Sequence, residues 1–191
     1  MKNVLLIGDS IRQGYDKAVK KALEGKANVY FPEDNCRFSA NILRHVDEYC
    51  GMIKDAELDI IHWNCGLWDC VRQWEEDPHT PPDIYAYYIE RICIRIKKLY
   101  PNAKVFFATT TRVIEDQMNK NFKRCNSDIE EYNRIATDIV KKYGFEVDDL
   151  YAVSLRIGDI AHSDPTHYNT LEGEAAFSEQ VVSCLMPYIE E

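Results

Sequence analysis

Ten residues into the chain a serine ends an apolar run. In MKNVLLIGDSIRQGY, Val4-Leu5-Leu6-Ile7 stops at Gly8-Asp9-Ser10 and passes at once into a polar segment of helical character. A hydroxyl placed there sits at the end of a buried strand, in the positive field of a helix N-terminus, which suits a nucleophile. The tripeptide suits a plainer role equally well, with Asp9 or Ser10 capping the helix. A serine becomes nucleophilic only when a base takes its proton, and an imidazole base needs a carboxylate to hold its tautomer. Near the other end, AHSDPTHYNTLEGEAAF carries both groups in Asp164-Pro165-Thr166-His167, just ahead of a helix. Pro165 and that helix would stiffen the loop and fix the imidazole. Asp159-Ile160-Ala161-His162 repeats the spacing slightly earlier. The later pair is preferred because it immediately precedes the final helix, which leaves His162 as a neighbour of the site or a surface residue. Cys36 and Cys65 are the competing nucleophiles.

These groups are far apart in sequence, so the fold must bring them together. Asn3–Ile7, Asn28–Phe31, Leu58–Trp63, Val105–Thr109 and Phe145–Val147 read as strands, several of them apolar on both faces as in a parallel sheet. Helical patterns alternate with them over Tyr15–Leu23, Ser39–Tyr49, Asp83–Leu99, Asp128–Tyr143 and Thr170–Met186, with stops at Gly25, Gly51, Pro101, Gly144 and Pro187. Strands alternating with helices predict an α/β fold, a three-layer α/β/α sandwich around a five-stranded parallel sheet with right-handed crossovers. Ligands bind such a sheet at the carboxyl ends of its strands. The segments leaving those ends are Gly8–Ser10, Pro32–Ser39, Asn64–Pro82, Thr110–Arg112 and Ser154–Thr166.

The composition narrows the partners. With 191 residues the whole chain, 1–191, reads as one domain with an ample core. A net charge of −9 argues against nucleic-acid and anionic-membrane partners. Lys17, Lys20, Lys21, Lys97 and Lys98 read as solvated helix faces. No signal peptide or transmembrane helix is legible. The seven cysteines are odd in number and show no CxxC or zinc-type spacing, so they read as reduced thiols of a cytoplasmic protein, Cys93 in the core.

A strand ending in Gly-Asp-Ser near the N-terminus and an Asp-x-x-His before the last helix resemble the GDSL/SGNH hydrolase superfamily, esterases and lipases on a flavodoxin-like sheet. The resemblance covers essentially the whole chain through GDSIRQGY, NCRFS, NCGLWD and DPTH. It implies Ser10 as nucleophile, His167 as general base and acid, and Asp164 as the residue that orients it. Two departures stand out. Where the family has a glycine whose backbone N–H enters the oxyanion hole, this chain has Arg37. A backbone donor survives that change, while the guanidinium could meet an anionic substrate group or a local acid. Where most members have Gly-x-Asn-Asp, this chain has Gly66-Leu67-Trp68-Asp69, with Asn64 two residues before the glycine. This looks like a branch with an N-x-G-L-x-D pattern, in which Asn64 supplies the oxyanion donor.

Trp63, Trp68 and Trp74 crowd this one loop. Trp63 reads as strand packing and Trp68 as a substrate contact. Ala108-Thr109-Thr110-Thr111-Arg112 ends the fourth strand, with no role legible. The expectation is a serine ester hydrolase, without metal or cofactor, acting on a small-molecule ester, with the N–H groups of Ser10 and Arg37 and the Asn64 amide around the oxyanion. A small acyl group such as acetyl on a carbohydrate is preferred. A lysophospholipase or thioesterase, and a sugar-binding module that has lost turnover, are the alternatives. A flavin- or phosphate-binding protein is disfavoured, because the first turn lacks small or hydroxyl residues to cradle a phosphate.

Overall fold

The computed structural model describes residues 1–53 and 57–191. Strands β1 (Lys2–Ile7), β2 (Ala27–Tyr30), β3 (Ile60–Trp63), β5 (Lys104–Ala108) and β7 (Glu146–Asp148) form one sheet in the order β2-β1-β3-β5-β7, and every neighbouring pair is parallel. Residues Val4 to Ile7 are buried on both faces because β1 lies inside the sheet. Register aligns the carboxyl ends: Ile7 pairs with Trp63, Trp63 with Phe107, and Phe107 with Val147. Gly8, Asn64, Ala108 and Asp148 therefore leave the sheet along one edge.

Helices α1 (Ser10–Ala22), α5 (Leu150–Ile157) and α6 (Leu171–Ile189) make one layer, in which α6 packs on both α1 and α5. In the other layer, α2 (Ser39–Cys50) packs on α3 (Pro82–Leu99), and α3 on α4 (Asn126–Lys142). Their apolar stripes follow helical spacing, as in Tyr85, Ile89, Ile92, Cys93 and Ile96 of α3 and Phe177, Val181 and Leu185 of α6. Cys93 is thus a core residue. No helix among the described residues is long and apolar enough to cross a membrane.

Four features depart from the sequence expectation. Helix α1 begins at Ser10, not Tyr15, because the Asp9 side chain caps it at that point. Helix α6 runs through Pro187 to Ile189: in a last turn the proline removes one bond, and the Glu190 N–H still donates to the Met186 carbonyl. Helix α5 occupies part of what read as a loop, capped by Asp149, whose carboxylate accepts from the Ala152 N–H. Finally, β4 (Arg72–Gln73) and β6 (Phe122–Lys123) form a two-residue antiparallel ribbon between the loops that follow β3 and β5.

Candidate active site

The turn after β1 is shaped by three consecutive residues. A methyl group on Gly8 would overlap Asn64 Oδ1 and stand 2.8 Å from Arg12 Cβ, so only glycine fits. Asp9 then takes the cap: its Oδ1 accepts from the Ile11 N–H at 3.0 Å and from Asn64 Nδ2 at 3.1 Å. Burial raises the Asp9 carboxyl above its usual range, although those donations and the charges of Arg124 and Arg12 work against it. Because Asp9 caps the helix, the hydroxyl of Ser10 is released from that duty. Ser10 Oγ lies 2.8 Å from His167 Nε2, and His167 Nδ1 lies 2.8 Å from Asp164 Oδ2. Among the described residues the Ser10 N–H meets no acceptor.

The loop bearing the imidazole is held by the same carboxylate that holds the ring. Asp164 Oδ1 accepts from the backbone N–H groups of Thr166 (2.8 Å) and His167 (2.9 Å), which leaves Oδ2 for the imidazole. The His167 carbonyl accepts from the Ser163 N–H, and the Pro165 carbonyl from the Ile114 N–H. Burial opposes charge on Asp164, but the three donations outweigh it and keep the carboxyl below its usual range. An ionised carboxylate only accepts, so Nδ1 carries the ring proton and Nε2 turns a lone pair to the Ser10 hydroxyl. The other pair is split: Asp159 pairs with Arg112, while the His162 ring stacks 3.8 Å from Tyr168 and bonds the Asp164 carbonyl through Nδ1.

Two buried side chains tie the neighbouring loops to this turn. Arg12 pairs with Asp16, both within the core, and its guanidinium donates to the carbonyls of Asp34 (2.8 Å) and Gly8 (3.4 Å). The loop after β2 is also fixed by the Cys36 N–H donating to the Gly8 carbonyl. Asp69, at the end of the NCGLWD stretch, accepts from the N–H of Ser39 and, at 2.5 Å, from its hydroxyl at the start of α2. Burial pushes the Asp69 carboxyl up to about 7.

Asn64 is buried with its amide on Asp9. Arg37 is exposed and adopts φ +56°, a left-handed conformation that favours glycine. Its N–H already donates to Asn35 Oδ1 at 2.7 Å, so that donor is occupied in this state. Trp68 is half-buried, edge-on to Phe122 at 6.1 Å and 5.9 Å from the Arg124 guanidinium. Trp63 packs in the core against Phe107, and Trp74 is exposed. Thr109 and Thr110 brace the edge: the Thr109 hydroxyl donates to Asp149, and the Thr110 backbone exchanges two bonds with the Asn133 side chain. Cys36 and Cys65 are buried and burial pushes both thiols up, which overturns them as nucleophiles. Nothing in its sequence position singles out Arg124, which directly follows β6 and is buried.

No protein-family model and no curated protein sequence matches the chain. Comparison of folds does find likenesses. The acetyl xylan esterase AlAXEase superposes with a TM-score of 0.75 at 18% identity, over 96% of this chain and 99% of that one. A lipase/acylhydrolase from Enterococcus faecalis gives 0.75 at 17% identity, over 98% and 97%. A GDSL-like lipase from Bacteroides thetaiotaomicron gives 0.74 at 14% identity, over 98% and 89%. Identities of this order speak for the fold alone, and it is the fold of these esterases and acylhydrolases that the chain shares from end to end.

Proposed function

We infer that this chain is a serine ester hydrolase. The observation that carries the reading is the continuous relay from Ser10 Oγ through His167 to Asp164, with both links at 2.8 Å, on the carboxyl edge of the sheet. Ser10 attacks the ester carbonyl as His167 Nε2 takes its proton, and Asp164 steadies the imidazolium. The tetrahedral oxyanion is held by the Ser10 N–H and the Asn64 amide. The Arg37 N–H joins them when the Asn35 side chain turns away. His167 then protonates the leaving alcohol and activates the water that releases the acid. No step calls for a metal or cofactor.

A small acyl group, acetyl in the first instance, on a carbohydrate alcohol is the preferred substrate. Support comes from the half-buried face of Trp68, suited to a sugar ring, and from the named activity of the xylan esterase that shares the fold. Longer acyl chains are the second reading, favoured by the lipase/acylhydrolase likeness. A fluorophosphonate probe should add one adduct to the wild type, on Ser10, and none to Ser10→Ala; an unlabelled or equally labelled pair rejects the hydrolase. Among p-nitrophenyl esters, acetate should be turned over faster than octanoate, and a strong preference for octanoate moves the substrate to the second reading.

A further inference from the structure

Arg124 is the most unusual charge in the molecule. It is only 4% exposed, yet it forms no ion pair with any described residue. Its Nε–H donates to the Leu67 carbonyl at 2.6 Å, and its guanidinium lies 5.1 Å from the Phe122 ring and 5.9 Å from the Trp68 ring. Among the described residues its two terminal nitrogens meet no acceptor, although neither is sealed from solvent. A cation confined in this way is costly unless an anion completes it. The carboxylates whose charge acts on it are Asp9 and Asp164, on the two loops that bring Ser10 and His167 together. Those carboxylates are already engaged, Asp9 by Ile11 and Asn64, and Asp164 by His167 and the loop backbone.

We propose that the terminal nitrogens of Arg124 receive a carboxylate on the alcohol part of the substrate, so that the ester cleaved is that of an acidic sugar such as a uronic acid. A guanidinium immobilised through Nε presents its remaining donors as a planar fork, the geometry that grips a carboxylate with two parallel bonds. Trp68, braced by the same guanidinium, offers the ring face for the sugar. The inference rests on the hydrolase reading for the identity of the ester, but the carboxylate site can be tested without turnover.

The first measurement compares kcat/KM for an O-acetylated methyl glucuronoside with that for its uronamide, which has the same shape and no charge. The wild type should favour the carboxylate at least about tenfold. In Arg124→Gln that ratio should collapse towards one, and Arg124→Lys, which keeps the charge and loses the fork, should fall between. A ratio near one in the wild type, or one unchanged in Arg124→Gln, means that Arg124 only balances Asp9 and Asp164, and overturns the proposal. The second measurement is calorimetric binding of the unacetylated glucuronoside and its uronamide to Ser10→Ala. Selective binding of the acid, lost in Ser10→Ala/Arg124→Gln, supports the carboxylate site even if neither ester is cleaved and the hydrolase reading fails. Equal binding of both sugars, or no binding of either, overturns it.

Discussion

Replacing Asn64 by alanine separates the oxyanion from the rest of the machinery, since its side chain hydrogen-bonds Asp9 and, among the described residues, none of Ser10, His167 and Asp164. One donor to a tetrahedral oxyanion contributes about 2.7–4 kcal/mol to the transition state, so acylation should slow by about 10²–10³-fold. KM should move little, because the oxyanion exists only at the transition state. The side chain has a second duty that fixes a second magnitude. It is one of two donors to Asp9 Oδ1, and a buried acceptor that loses a donor costs about 1–3 kcal/mol. For a chain of this size that lowers Tm by roughly 2–12 °C. The assay is the pre-steady-state burst on p-nitrophenyl acetate, taken well below both melting transitions, with fluorophosphonate labelling to report that Ser10 survives. Gly8→Ala is the companion: its methyl overlaps Asn64 Oδ1 and displaces the amide without deleting it, so acylation should fall in the same direction. A folded Asn64→Ala protein that acylates within a few-fold of wild type would refute the assignment.

Asp164→Asn should be more damaging than its size implies. The N–H groups of Thr166 and His167 require an oxygen at the Oδ1 position, so the amide nitrogen falls against His167 Nδ1 and drives the ring proton to Nε2. Loss of kcat approaching about 10⁴-fold is expected, and a variant retaining a tenth of wild-type turnover counts against the tautomer argument. Asp69 sets a pH dependence. Its carboxyl stands at about 7 in the fold against roughly 3.9 in the unfolded chain. The native state therefore holds its proton more tightly, and this group's contribution to stability declines as pH rises from about 4 to about 7. The Tm of wild type minus that of Asp69→Asn should shrink across that window; a difference that grows contradicts the burial argument. Arg12→Met should cost about 3–5 kcal/mol by leaving Asp16 buried without its partner, with much of the loss recovered in Arg12→Met/Asp16→Leu. Urea unfolding measures both, and a double variant no better than the single one rejects the account.

The sheet was readable because its strands are short apolar runs bounded by glycine, proline or polar loops, and tertiary packing leaves that signal intact. Helix α5 was missed because its eight residues bury only Leu150, Val153 and Ser154, too few turns for a period to emerge. The β4–β6 ribbon has two residues per strand and no period at all. Arg124 directly follows that ribbon and is buried, and the long-range pairing beside it leaves no local mark in the sequence. Ser10, Asp164 and His167 were legible for the opposite reason: each lies at the junction of a strand or loop with a helix, where residue type and backbone geometry are linked. The Asn35 side chain on the Arg37 N–H was not, because nothing in the spacing says which of two acceptors a loop amide will choose.

Ser10 opens α1, His167 lies just before α6, the two residues are 157 positions apart, and the helices they introduce pack on each other. The hydroxyl is thus translated long before its imidazole. A nascent chain that has reached only the end of α5 holds the hydroxyl without the imidazole. The contact between them forms only when the segment ahead of α6 docks beside α1, so the contact itself reports that docking.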